Sequence, residues 1–387
     1  MTDLDLDLHS AHFVAHRDEV CAALRACDQV AWSSAHGGFA VAAGYDDVRA
    51  VLLDPQTFSS GVPGRVAVPP TDGDRPALAP IEVDPPRHDA QVALVSRWFA
   101  RSAVDVHEAD LRATATALLQ GRHRVEVVSD LALPLVSDAL ARVLRLPPDD
   151  ADRWVAWAHR IFATRVSAPE LAAQARDELR GYVSGLLQER RAQPRDDVFT
   201  DLAVGLVDGV RLSEDEAQGF GVNLLLAGRD ATVDGLANSL VHLARVPADQ
   251  ERLRNDRSLL PRAVEELLRV YTPIGNLGRV TTRPVELGGR PLPAGASVAV
   301  VYGSANRDER AFADADQVDL DRRANRHVAF GLGVHRCLGA QVARLVLRTG
   351  LDAALDLPPL RLDPDAPLVA KPNGDTRGYL AAHLLTG

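Results

Sequence analysis

Cys337 sits in the run Phe330-Gly331-Leu332-Gly333-Val334-His335-Arg336-Cys337-Leu338-Gly339. This is a glycine-rich loop placed just ahead of a helical pattern. A cysteine binds metal or donates electron density only as the thiolate. The three nearby glycines, Gly331, Gly333 and Gly339, let backbone approach a flat cofactor and aim N–H groups at the sulfur. Leu338, Val342, Leu345 and Val346 then recur at helical spacing. The sulfur is therefore expected at a helix N-terminus, where the dipole favours negative charge.

Other chemistries fit this run poorly. A lone cysteine is ordinarily a small buried hydrophobe, but the glycines and His335 set this one apart. A dinucleotide loop would need glycine where Arg336 stands. A structural zinc site needs about four ligands, and the chain has no Cys-x-x-Cys pair. The run resembles the haem-binding loop of cytochrome P450. That resemblance implies that Cys337 is the axial thiolate of b-type haem iron, with Phe330, Gly331, His335 and Gly339 shaping the cofactor site. Such a ligand pushes electron density onto iron and favours O–O cleavage.

Further residues take roles through the same resemblance. Glu266 and Arg269 stand three apart on a helical pattern, so they share a face. Taken alone they are a solvated ion pair worth less than about 1 kcal/mol; in the family such a pair braces the coil beneath the haem. The family often adds an arginine from that coil, and Gln317 occupies the matching position, which implies a simpler brace. His335, Arg279 and His88 match positions that bind haem propionates, which need cationic or N–H donors. The arginine that usually follows His88 by four residues is Val92 here, so the resemblance leaves propionate binding on that side open, with or without Arg97 as a substitute donor.

Ala227-Gly228-Arg229-Asp230-Ala231-Thr232 matches the family's Ala-Gly-x-Asp/Glu-Thr, with one departure. Asp230 matches the acid that relays protons to dioxygen; its alternative role is a simple ion pair with a neighbouring arginine. Ala231 replaces the alcohol. Thr232 lies one residue on, about 100° around a helix, and is a poor replacement. Three consequences stay open: a substrate hydroxyl or ordered water completes the relay; the reaction is one less dependent on it, such as oxidative coupling; or peroxide is used or released. The position of segments in the family implies a pocket lined by the 60–80 loop, residues near 161–175, Leu224, Leu225, Ala227, Gly228, the 272–277 segment with Ile274 and Asn276, and the turn at Tyr379-Leu380. Such pockets are mostly apolar with a few polar fixings. Arg336, Arg344 and Arg348 offer either a basic face for an acidic electron carrier or a plain solvated helix face.

These residues need elements to position them. The chain has 387 residues, 46% hydrophobic, with net charge −10. That suffices for a large core and implies no basic surface for nucleic acid. Arginine takes nearly every basic position; Lys371 is the only lysine, read as compositional bias. Three cysteines make no disulfide scaffold, and Cys21 and Cys27 read as structural. The first residues carry no apolar run of signal or anchor type, so a cytoplasmic protein without membrane attachment is expected.

Helical patterns dominate. An amphipathic helix is expected over 11–27, a hairpin over 30–43 turning at Gly37-Gly38, and a helix over 45–53. Residues 59–80 read as an irregular loop, and 87–245 as mostly helical. Ser213-Glu214-Asp215-Glu216 fits a capping box. It opens one helix expected to run to Arg245, on the order of 50 Å long. Strands are expected over 279–283 and 296–302, with a hairpin over 285–292 turning at Gly288-Gly289. The fold class expected is mainly α with a smaller β region (about 30–43 and 279–302), in one cytochrome P450 domain. The haem would lie between the long central helix and the Cys-loop helix.

The resemblance implies a monooxygenase acting on a small organic substrate, in specialised metabolism. It would use dioxygen and two electrons from ferredoxin and ferredoxin reductase, since no flavin or nicotinamide domain fits this length. A peroxide-using or coupling haem-thiolate enzyme, or a non-catalytic haem protein that recruits others, are the alternatives.

Overall fold

The structure, a computed structural model, describes residues 3–71, 75–164 and 168–387. The part of the 60–80 loop at 72–74, and of the 161–175 stretch at 165–167, lie outside the described residues.

Helices form most of the molecule, and the main core is built where they cross. The Asp230–Arg245 helix is buried along almost its whole length, from Thr232 to Ala244. A helix buried on all sides runs through the interior, and this one packs against the Ala340–Ala354 and Leu260–Tyr271 helices while burying Asp234, Asn238 and His242 among its apolar residues. Its contact with the Ala340–Ala354 helix is close because glycines lie at the crossing. A Cβ on Gly350 would come to 2.9 Å from Leu236 Cδ2, and one on Gly235 would touch Leu347.

The expected single helix over 213–245 is instead two. The capping box forms, with Ser213 accepting from the Glu216 N–H and Glu216 accepting from the Ser213 N–H, and opens the Glu214–Ala227 helix. That helix stops at Gly228, and the Asp230–Arg245 helix restarts after Arg229. The Thr232 hydroxyl donates to the Gly228 carbonyl at 3.1 Å. A side-chain hydroxyl that occupies a backbone acceptor in this way bends helices. A Cβ on Gly228 would lie 2.8 Å from the Leu140 Cδ2 methyl, so a larger residue there would have to push that side chain aside.

The β region joins the two expected single strands to the expected N-terminal hairpin. Ala31–Ser33 and Phe39–Ala42 form the hairpin, with Gly37 and Gly38 at φ +86° and +96°. Phe39–Ala42 pairs in parallel with Ser297–Val300, which pairs antiparallel with Leu277–Thr281. Two short strands, Asp3–Leu4 and Phe58–Ser59, complete a six-stranded sheet. Val285–Leu287 and Arg290–Leu292 form their own hairpin at Gly288-Gly289. The 11–27 helix divides into Ala11–Ala15 and Arg17–Arg25.

A further hairpin closes over the central helix. Val369–Ala370 pairs with Tyr379–Ala381, and its loop lies on the 273–276 segment. The Gly275 N–H donates to the Asp375 carbonyl at 2.8 Å, and the Arg377 N–H to the Pro273 carbonyl at 2.8 Å. Among the described residues no helix is long and apolar enough to cross a membrane.

Candidate functional site

The cysteine loop is fixed by its own backbone. Gly331 and Gly333 adopt φ of +67° and +66°, a left-handed conformation that side-chain-bearing residues avoid. At Gly333 a Cβ would also press on the Leu52 carbonyl, 2.6 Å away. The turn brings the Cys337 N–H to the Phe330 carbonyl at 2.8 Å. Cys337 sits two residues before Gly339, the N-cap of the Ala340–Ala354 helix, and the Gly339 N–H is directed at its sulfur. Burial raises the thiol above its ordinary pKa, and the Gly339 N–H, Arg344 and Arg336 work against that rise. Without a metal the sulfur is therefore a thiol; a bound metal would deprotonate it.

Cys337 is walled in by protein yet has open surface. Ala227, flanked by half-buried residues, is open as well. Both residues lie where the two central helices lead. From their crossing at Gly235–Leu347 and Leu236–Gly350, the helices run N-terminally to the 227–231 break and to Cys337. A thiol and a small residue left open at those two helix ends suit a flat ligand.

Basic groups gather beside this loop. The His88 and His335 rings meet edge-on with centroids 4.3 Å apart, and His335 Nε2 lies 2.9 Å from Ser60 Oγ. His335 is held neutral, its pKa pushed down to about 3 by burial first and then by Arg279 and His88. Arg279 is buried, and its Nη1 donates to the Gly278 carbonyl at 2.7 Å. Asp89, 2.8 Å from His88 Nδ1, is the one acid that draws His335 toward the charged state. A cluster of cationic and N–H groups so short of anions fits the carboxylates of a haem. Arg97 does not join it. It stands nine residues past His88, on the opposite helix face, where it grips Asp201 through Nε at 3.0 Å and Nη2 at 2.9 Å.

The Glu266–Arg269 pair is fully buried rather than solvated. Arg269 donates to Glu266 at 2.9 and 2.7 Å and to the carbonyls of Asn306, Ala315 and Gln317 at 2.8, 2.6 and 2.7 Å. The brace is not the simpler one expected from Gln317. Arg322 Nε reaches both Glu266 oxygens at 3.1 Å, and Asn325 and the Asp319 N–H add two more bonds. The coil arrives at Glu266 five residues later than spacing suggested, so Gln317 contributes only backbone. The neighbouring Glu265 was not singled out from sequence. It binds Arg344 at 2.6 and 2.7 Å and His327 at 3.1 Å. Arg344, whose guanidinium also lies 4.4 Å from the Phe330 ring centroid, therefore belongs to the loop's support and not to a free basic face. Arg348 is likewise held by Glu108. Among the described residues, Arg336 is the one of these three arginines without an acidic partner.

At the helix break, Asp230 Oδ1 lies 3.0 Å from Arg229 Nη1. The guanidinium is not aligned for a hydrogen bond there, and its buried Nε and Nη1 lack acceptors. Ala231 is half-buried, and the Thr232 hydroxyl is already spent on Gly228. Leu224 is half-buried against the main core, and Ile274 bridges to Thr376. Asn276 turns away from this group: its Nδ2 donates to the Gly374 carbonyl at 3.1 Å, and it borders a small internal cavity with Phe13 and Arg17.

Comparison with known proteins agrees with this geometry. Residues 158–357 match the cytochrome P450 family model. The chain is 38% identical to the cyclomarin C epoxidase of Salinispora arenicola over 323 residues, 81% of each chain. It is 35% identical to the erythromycin C-12 hydroxylase of Saccharopolyspora erythraea, covering 84% of this chain and 83% of that one. Its fold is similar to the solved CYP109Q5 of Chondromyces apiculatus, with TM-score 0.88 and 29% identity across 100% and 98% of the two chains. The himastatin-pathway hydroxylase HmtN superposes with TM-score 0.86 at 32% identity, covering 96% and 97%. Family members bind haem b, and the residues around Cys337 fit it. This chain belongs to the cytochrome P450 family and is a haem-thiolate monooxygenase.

Proposed function

We propose that the enzyme inserts oxygen into a small organic molecule of specialised metabolism, with a hydroxyl of that molecule or an ordered water standing in for the missing relay alcohol. Cys337 would hold the haem iron, and His88, His335 and Arg279 the propionates. The haem supplies dioxygen activation when two electrons reach it, from a ferredoxin and its reductase. The chain's own residues position the substrate and deliver protons. Asp230 carries the proton on Oδ2, since Oδ1 faces Arg229. It passes it toward the reacting oxygen through the substrate or water hydroxyl.

The observation that carries this reading is the pair of facts at the helix break. Ala231 offers no hydroxyl, and the Thr232 hydroxyl donates to Gly228. No side-chain alcohol is left next to Asp230 for the relay. Relatives named as a cyclomarin C epoxidase, a nocardicin C N-oxygenase and an erythromycin C-12 hydroxylase support oxygen insertion into a molecule of this kind.

Screening natural products for a shift of the haem absorption band on binding identifies the substrate class. Turnover with ferredoxin, reductase and nicotinamide then tests the chemistry. A hydroxylated or epoxidised product is expected. Turnover with peroxide alone would favour the peroxide-using reading. Binding without turnover under either condition would favour a recruiting protein.

A further inference from the structure

The Asp230–Arg245 helix carries a second carboxylate one turn past Asp230. Asp234 is fully buried, and its Oδ2 accepts from Lys371 Nζ at 2.9 Å. Its Oδ1 has no hydrogen-bond partner. Gly378 covers that oxygen so closely that any Cβ there would overlap the carboxylate. Lys371 and Gly378 face each other across the closing hairpin, with the Lys371 N–H donating to the Gly378 carbonyl at 3.0 Å. The two arms of the hairpin therefore grip one carboxylate between an ammonium and a bare Cα.

The grip continues along the helix. Asn238, one turn further, donates from Nδ2 to the Arg377 carbonyl at 2.9 Å. Asp230, Asp234 and Asn238 are spaced four apart, so they line one face, and the last two hold the hairpin. The hairpin in turn holds the 273–276 segment through Gly275–Asp375, Arg377–Pro273 and Asn276–Gly374. Lys371 is the sole lysine of a chain with 43 basic residues. A compact ammonium is the cation that fits between a buried carboxylate and its cover; a guanidinium is wide and planar.

We propose that Asp234 and Lys371 are positioning residues that clamp this hairpin to the turn bearing Asp230, and so set where a substrate rests beside the relay acid. It rests on the pocket placement given above. The charges around Asp234 are Lys371 from the hairpin and Arg229 and Asp230 from the preceding turn. Breaking the clamp loosens the wall formed by Tyr379, Leu380 and Ile274 without touching the Cys337 side.

The test uses haem-loaded protein and two probes read by the haem band. Imidazole is small enough to ligate iron without reaching the wall, whereas phenylimidazole extends toward it. In Lys371→Met, phenylimidazole is expected to bind about tenfold more weakly, with imidazole within about twofold. Amide exchange over 371–381 should quicken. Lys371→Met leaves a lone buried carboxylate, which itself destabilises. The double variant Asp234→Asn/Lys371→Met removes that charge, so its unfolding temperature should recover while the weak phenylimidazole binding and fast exchange persist. Equal weakening of both probes, unchanged phenylimidazole binding and exchange in Lys371→Met, or a return of phenylimidazole binding and exchange to wild-type values in the double variant would each overturn the clamp. A wild-type haem band that imidazole fails to shift would instead strike the haem site itself.

Discussion

The two sides of the site are built differently. The Cys337 side is local: ten consecutive residues contain the thiol, the positive-φ glycines, the backbone bond from Cys337 to Phe330 and the N-cap at Gly339. Its support adds a cluster around half-buried Glu265 and buried Glu266. The Asp230 side is assembled from afar. Asp234 meets Lys371 across 137 residues of chain, and Asn238 meets Arg377 across 139. Local backbone geometry fixes the ligand to the metal, while long-range charge pairs fix the wall where specificity lies. Substitutions on the first side should abolish the cofactor site; those on the second should alter what the site does.

The largest effect is expected at the brace. Glu266→Gln leaves Arg269 and Arg322 buried against a neutral partner, and breaking such a pair costs about 3–5 kcal/mol. Denaturant unfolding should show that loss together with reduced haem content. Retention of both would mean the coil under the cysteine loop is held by its carbonyl contacts alone.

A smaller, pH-dependent effect belongs to Glu265. Burial raises its pKa, but Arg344 and His327 outweigh burial and hold it down to about 2, against the ordinary 4.5. Because the folded value lies below the unfolded one, the contribution is fully present above pH 4.5. It is lost as pH falls from there toward 2. At most about 3 kcal/mol is involved. Glu265→Gln should flatten the acid limb of stability in that window, measured by unfolding at stepped pH. An unchanged slope would show that the pair contributes nothing net.

On the other side, Ala231→Thr should leave stability and the haem spectrum intact. It should change the ratio of product formed to electrons consumed severalfold. An identical ratio would remove this position from any part in proton delivery.

The same division explains what could be read from the chain. The cysteine loop, the capping box at Ser213 and the hairpins at Gly37-Gly38 and Gly288-Gly289 rest on turn and cap chemistry that short spacings reveal. The break after Ala227 does not: Thr232 reads as an ordinary helix residue until its hydroxyl is seen to occupy the Gly228 carbonyl. Arg322 was hidden because coil length, unlike helix pitch, has no fixed rise per residue. Arg344 and Arg348 looked like a docking face because their partners, Glu265 and Glu108, lie 79 and 240 residues away. Lys371 stood out by composition, yet nothing in its neighbourhood named Asp234 as its partner.

Thiolate ligation by Cys337 is tested most directly by the absorption spectrum of the reduced, carbon monoxide-bound protein, recorded for wild type and Cys337→Ser. Wild type should show the red-shifted band that a thiolate ligand produces, and the serine variant should lack it. A colourless wild type, a wild-type adduct without that band, or a serine variant that keeps it would contradict the account.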